Sequence, residues 1–336
     1  MGSHDGRKRE MTDTPPDIER LIQDVLADLG FDADAGEVAR RVRRLNHGLP
    51  AEDEFAVICA WLGRTRLLHK LDQHQIPARS KSDFQVPDIL AMFEAGGPFL
   101  IEVKVCNDRT LSFKPDYHAR LVRYADQMGL PLLLAWKHYS LWTLVDIRHV
   151  TLARKNFNIS HGEAMRQNLL GILAGDVAFK LAEGAGIHLD IAKEQLIETR
   201  PSDDGFEETW QMRVTGVHFT AGGGAVRTDL HPETTQLFAT WDLQSSEEHS
   251  PSHIRQSFTV GAEGIEFAHR ALVGLLAWEK RADGPTNWRT LLRSPEITRT
   301  IAHFGAALER GLAEGVVHHI LHQHPVTVPD FISQEN

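Results

Sequence analysis

A chain of 336 residues, 42% of them hydrophobic, is long enough for a sizeable buried core and for two domains. No apolar run reaches the ~20 residues of a membrane span, and the polar opening Met1-Gly-Ser-His-Asp-Gly-Arg-Lys-Arg-Glu lacks a secretory apolar stretch. Cys59 and Cys106 can make neither a disulfide framework nor a four-cysteine zinc site, so a cytoplasmic setting without a membrane partner is expected. The net charge of −10 weighs against a polyanionic partner, but it is unevenly spread. Arg64 to Arg123 carries ten Lys/Arg against seven Asp/Glu, whereas Asp203 to Glu263 is strongly acidic.

In chain order, Pro15-Pro16-Asp17 opens a helix whose apolar residues run from Ile18 to Leu29, and Gly30 stops it. A second helix near 35–45 carries Arg40, Arg41, Arg43 and Arg44, a cluster suited equally to phosphate contact and to plain solvation. A longer helix is expected from about Glu52 to Leu71. The pattern then turns to strands: Pro87 to Phe93, a turn at Ala95-Gly-Gly-Pro98, and Phe99 to Val105. Pro115 to Met128 reads as a helix closed by Gly129. Pro131 to Trp136 is a continuous apolar run, as for a strand covered on both faces, and Ser140 to Ile147 is another strand. This order describes an α/β layer with a mixed sheet. Beyond it we expect a helix at 162–173 and β-like runs at 210–219 and 235–242. A hairpin turn is expected at Ala221-Gly-Gly-Gly-Ala225, and helices near 263–281, 286–293 and 296–321.

Chemistry concentrates in three residues. Asp88 begins one strand, and Glu102 and Lys104, two apart on the next, share a face. The stretch Phe99-Leu-Ile-Glu-Val-Lys-Val-Cys106 is otherwise apolar, so the two charges fall on a central strand, where charge is costly unless paired or metal-bound. An edge strand with both charges in water is the plainer alternative. Hard carboxylate oxygens suit Mg²⁺ or Mn²⁺, and a neighbouring ammonium suits charge developing on a phosphate. That is the equipment of phosphodiester hydrolysis.

Pro87-Asp88, followed fourteen residues on by Glu102-Val-Lys104, resembles the PD-(D/E)xK nuclease superfamily, in its archaeal Holliday-junction-resolvase and restriction-endonuclease-like branch. The resemblance covers roughly residues 54–147. It implies a restriction-endonuclease-like core, a mixed sheet flanked by helices, at 51–158. A helical segment (1–50) precedes it, and an α+β region (159–336) that selects substrate or regulates follows. It further implies that a helix glutamate joins Asp88 and Glu102 as a metal ligand. Glu54 matches that position, with Glu52 or Asp53 as substitutes, although the separation from Asp88 is long. Ser80 and Lys81 in Ala78-Arg-Ser-Lys-Ser-Asp83, with Lys114 and Lys137, correspond to nucleic-acid contacts, the lysines being equally at home in solvent. Gln127 is a weaker candidate for an auxiliary site residue.

The implied function is a Mg²⁺- or Mn²⁺-dependent endonuclease acting on nucleic acid, DNA in preference to RNA, in restriction, defence or DNA processing; a homodimer is compatible with this. Two other readings stay open: a non-catalytic nucleic-acid-binding protein on a nuclease fold, and a nuclease gated by a small ligand. His318 and His322, one helical turn apart on the helix expected there, have no third zinc ligand in view and read more simply as a polar run.

Overall fold

The structure, a computed structural model, describes residues 51–72, 75, 77–202, 205–280 and 303–332. The helices expected near 18–29, 35–45 and 286–293, with the Arg40 to Arg44 cluster, lie outside the described residues. Helix α1 (residues 51–62) opens on Glu52, Asp53 and Glu54, acids placed where the helix dipole favours negative charge. Phe55, Val57, Ile58 and Leu62 are fully buried, and only Ala60 of the helix is exposed. Gly63 stops it. Its φ of +100° is open to glycine, and a Cβ there would stand 1.8 Å from His303 Nε2. The helix expected to reach Leu71 therefore ends at 62, and Thr65–Lys70 forms strand β1.

The next elements follow the expected order: β2 (Ile89–Phe93), β3 (Gly96–Val105), a short β4 (Thr110–Phe113) and helix α2 (Pro115–Met128). Pro115 starts α2 where a missing N–H costs nothing, and Gly129, at φ 65°, caps it. Strands β5 (Leu132–His138) and β6 (Leu141–Asp146) complete a sheet of order β1-β2-β3-β5-β6. The β3–β5 pair is parallel, joined through α2, while β1–β2, β2–β3 and β5–β6 are antiparallel. This is the expected mixed sheet flanked by helices. One face packs Ile101, Leu133 and Ala135 against α1, and the other packs Leu100, Leu132, Leu134 and Trp136 against α2.

Strands β7 (Thr151–Ala153) and β8 (Asn156–Ser160) pair beside β4, and the helix expected at 162–173 is two short ones, α3 (His161–Arg166) and α4 (Leu170–Ala174). Strand β9 (Val177–Leu181) leads into β10 (Gly186–Ser202) and β11 (Gly205–Ala221), a long antiparallel ribbon. The glycine turn at 222–224 returns the chain to β12 (Ala225–Arg227), a hairpin as expected. Residues 235–242 are not a strand. His231 caps helix α5 (Pro232–Gln236), and a 3-10 turn at Leu237–Thr240 buries Leu237 and Phe238. Their apolar spacing reflects this packing. Then come β13 (Gln244–His249), β14 (His253–Thr259), β15 (Glu266–Phe267), α6 (Ala268–Lys280), α7 (Phe304–Ala313) and β16 (Val317–His322).

The helix expected through 321 is interrupted by Gly315 at φ +77°, after which β16 pairs with β9. His318 and His322 therefore lie on a strand, separated by about 13 Å of extended chain rather than by one helical turn.

The segment after residue 158 also seals the sheet's edge. Trp142 N–H donates to His269 Nε2 (3.1 Å), and Leu144 N–H donates to Asn168 Oδ1 (2.9 Å). The core beneath α1 continues into β9, α6 and α7 without a break, and Ala51–Asn336 is one compact unit. Among the described residues no helix is long and apolar enough to cross a membrane.

Candidate active site

Ile89 lies opposite Ile101 in the β2–β3 register, which sets Asp88 opposite Glu102. The Asp88 backbone is held on both sides. Its N–H donates to Ile101 O (3.0 Å), and its carbonyl accepts from Leu71 N–H (2.9 Å). Its Oδ2 accepts from Val103 N–H at 2.7 Å, drawing the carboxylate to the β3 backbone beside Glu102. Asp88 and Glu102, with Lys104, lie on the α2 side of the sheet.

Glu102 is 1% exposed. Its Oε1 takes the Lys104 ammonium and the Tyr117 hydroxyl, while its Oε2 is buried with no partner. An orphaned carboxylate oxygen at that depth is expensive unless something positive comes to it. Burial first, and then the charge of Glu102, push the Asp88 carboxyl up to about 7, although Lys104, the Val103 N–H and Lys70 all draw it down. For Lys104, burial alone would lower the ammonium, but Glu102 and Asp88 outweigh it and hold it protonated. Burial and Glu102 likewise push the Tyr117 phenol up, so it stays a donor. Nothing in the sequence signals Tyr117; its role follows from the first turn of α2 passing over β3.

The helix carboxylate is where the structure departs from expectation. Glu54 accepts from Lys137 Nζ at 2.6 and 2.7 Å and from Trp142 Nε1 at 2.9 Å. Lys137 shares its side of β5 with Ala135 and points away from that of Trp136, which puts it on the α1 face, opposite to Glu102 and Lys104. The structure thus joins Glu54 and Lys137 to each other and not to the Asp88 centre. Glu52 instead stands within electrostatic reach of Asp88. Burial first, then the charge of Asp88, push its carboxyl up, while Lys70 opposes the shift. Lys70 Nζ bridges Glu52 Oε2 (2.8 Å) and Asp53 Oδ1 (2.6 Å). With three acids in succession, the phase of α1 decides which partners each one meets.

Of the other expected contacts, Lys81 and Lys114 are exposed, and Ser80 Oγ donates to Gln75 Oε1 (3.1 Å). The serine-rich segment is held on α2 by Arg120, which donates to Lys81 O (2.8 Å), and by Arg123, which donates to Asp83 O (2.9 Å). Gln127 lines a cavity of about 250 Å³ together with Ser80, Phe84 and Tyr124.

Among the described residues no three His, Cys, Asp or Glu side chains are already gathered as a metal cage, His318 and His322 included. The donor set nonetheless fits a hard cation. Asp88 and Glu102 repel one another, Glu52 shares the repulsion, and Glu102 Oε2 lacks a partner.

Residues 76–173 match the family model for archaeal Holliday junction resolvase (hjc). A similar solved structure is Archaeoglobus fulgidus Hjc, a Holliday junction resolvase from an archaeal hyperthermophile. It is 22% identical, with 34% of this chain and 89% of that chain covered, at a TM-score of 0.29. No curated protein matches the chain. The family match takes in Asp88, Glu102, Lys104 and Tyr117, and begins after α1.

Proposed function

With residues 76–173 carrying a PD-(D/E)xK core of the archaeal Holliday junction resolvase kind, we propose that this protein is a divalent-metal-dependent endonuclease that hydrolyses phosphodiester bonds of DNA, branched DNA foremost, in DNA processing or defence. The observation that carries the reading is Glu102 Oε2, buried and unpartnered beside an Asp88 whose carboxyl is pushed up by burial first and then by the charge of Glu102.

Asp88 and Glu102 would hold the cation, with Glu52 as the helix carboxylate in place of Glu54. When bound, Mg²⁺ or Mn²⁺ supplies charge neutralisation at a phosphoryl oxygen and a more acidic water. The remaining work belongs to the chain. Tyr117 stays protonated and fixes Glu102 Oε1, leaving Oε2 turned elsewhere. Lys104, held as an ammonium, provides a positive charge beside the carboxylates where charge builds on the phosphate. Exposed Arg79, Lys81 and Lys114 offer backbone contacts to the substrate, independent of its sequence.

The test incubates four-way-branched DNA, linear duplex, single-stranded DNA and RNA with the protein in Mg²⁺, Mn²⁺ or EDTA, beside the Asp88→Ala variant. Cleavage of DNA that disappears with EDTA and with the substitution is expected. Cleavage surviving both, or no cleavage of any substrate by folded protein, overturns the proposal.

A further inference from the structure

Beyond Lys193 the β10–β11 ribbon leaves its sheet. β14 pairs with β10 only as far as Ala192, and from there, among the described residues, the two strands pair only with each other for roughly 30 Å. A lone two-stranded ribbon is marginal in water. The register assigns its faces. Phe206, Glu208, Trp210, Met212 and Val214 alternate onto one side, opposite Pro201, Thr199, Leu196, Lys193 and Ile191 respectively. Side-chain contacts agree, since Lys193 Nζ lies over the Trp210 ring (5.7 Å) and Trp210 Nε1 donates to Glu208 (2.9 Å). The same face begins on the body, where Ile187 and Phe219 pack against the core, and then runs out past the described residues of the body. Phe206 is 76% exposed, Val214 53% and Met212 50%.

From base to tip this face reads apolar, Lys193, Trp210 with Leu196, Glu208, apolar. That order is its own complement under a two-fold rotation through Trp210. Lys193 of each copy then meets Glu208 of the other, Phe206 at the tip meets Val214 near the base, and Trp210 sits at the centre, where interface anchors concentrate. Charge excludes the polyanionic occupants. Residues 193–213 hold three basic residues against six acidic ones, which repels a nucleic-acid backbone or an anionic membrane.

We infer that this ribbon face is an interface for a second copy of the chain, packed antiparallel ribbon against ribbon. The inference stands whether or not the nuclease reading holds.

Sedimentation velocity of the full chain over the micromolar range tests it. The wild type sediments as a dimer, and Trp210→Glu raises the dissociation constant roughly thirtyfold or more while leaving the melting temperature of the body unchanged. K193E and E208K each weaken the dimer, and an equimolar mixture of the two recovers it, because the mixed pair restores both cross-copy ion pairs. An intrachain role for these charges gives no recovery on mixing. A wild type that stays monomeric, a W210E dimer as tight as wild type, or a mixture no tighter than its components overturns the inference.

Discussion

Two carboxylate–lysine arrays occupy opposite faces of one sheet, and they are built to different ends. On the α1 face, Glu54 has both oxygens taken by Lys137, and Oε1 also accepts from Trp142 Nε1. Every group there is satisfied, and β5, β6 and α1 are tied together. On the α2 face, Glu102 Oε1 is likewise occupied, but Oε2 is buried and empty-handed, and the neighbouring Asp88 is driven up to about 7 by burial and by Glu102. A satisfied array stabilises a fold. An array of mutually repelling carboxylates with an unpartnered oxygen is retained at a cost, as expected where a ligand completes it.

The largest expected effect separates the two arrays by activity. Glu102→Gln or Lys104→Ala should lower DNA cleavage about 10²–10³-fold, the scale for losing a charge that acts on the transition state. Glu54→Gln should leave the rate per folded molecule within a few-fold of wild type. Steady-state rates on one DNA substrate decide it, and equal losses would erase the distinction. Next comes stability. Glu54→Ala leaves Lys137 and Trp142 without their acceptor and should cost about 2–4 kcal/mol in urea unfolding, less than for a fully buried pair because Lys137 keeps some exposure. Glu102→Gln removes the repulsion on Asp88 but also the charge paired with Lys104, so the two changes offset and its cost should fall below that of Glu54→Ala in the same measurement.

His269→Ala should cost about 2–3 kcal/mol, because it leaves the Trp142 N–H and the buried Asp176 Oδ2, 2.8 Å from His269 Nδ1, without their partner, while Asp176 Oδ1 keeps the backbone N–H of residue 269. A loss under half that would mean the seal along β6 is dispensable. Glu52→Gln should slow cleavage about tenfold, below the loss for Glu102 because Lys70 already shares the Glu52 charge.

A further effect is with pH. An unfolded Asp titrates near ~3.9, whereas folded Asp88 is held up to about 7, so the folded state binds its proton more tightly. Its contribution to stability is complete below about pH 4 and is lost as pH rises through about 7. In EDTA, melting curves should show the wild type falling relative to Asp88→Asn across that window, with Mg²⁺ reversing the fall. Parallel curves would remove the electrostatic strain assigned to Asp88.

Local chemistry made the hairpin, α2 and β5 legible. Alternation, an N-terminal proline and the Gly129 cap each act within a few residues, and two-residue spacing alone put Glu102 and Lys104 on one face. What the sequence hid depended on distant packing. The need for glycine at position 63 comes in part from His303, some 240 residues on, which leaves no room for a Cβ there. That Glu54 pairs with Lys137 and Trp142 while Glu52 feels the charge of Asp88 is a matter of helix phase against a sheet that forms only later in the chain. The strand at 317–322 exists because Gly315 reverses the backbone toward β9, whereas the residues around it satisfy a helical pattern equally well. Tyr117 reaches Glu102 only through the α2 crossover.

The most direct test of the difference between the two faces is a calorimetric titration of Mn²⁺ into the wild type, E54Q and E102Q, above the Asp88 pKa of about 7. Saturable binding to the wild type and to folded E54Q, and none to E102Q, is the expected result. Binding to E102Q as tight as to the wild type, or its loss in a folded E54Q, would contradict the assignment of the metal centre to the α2 face.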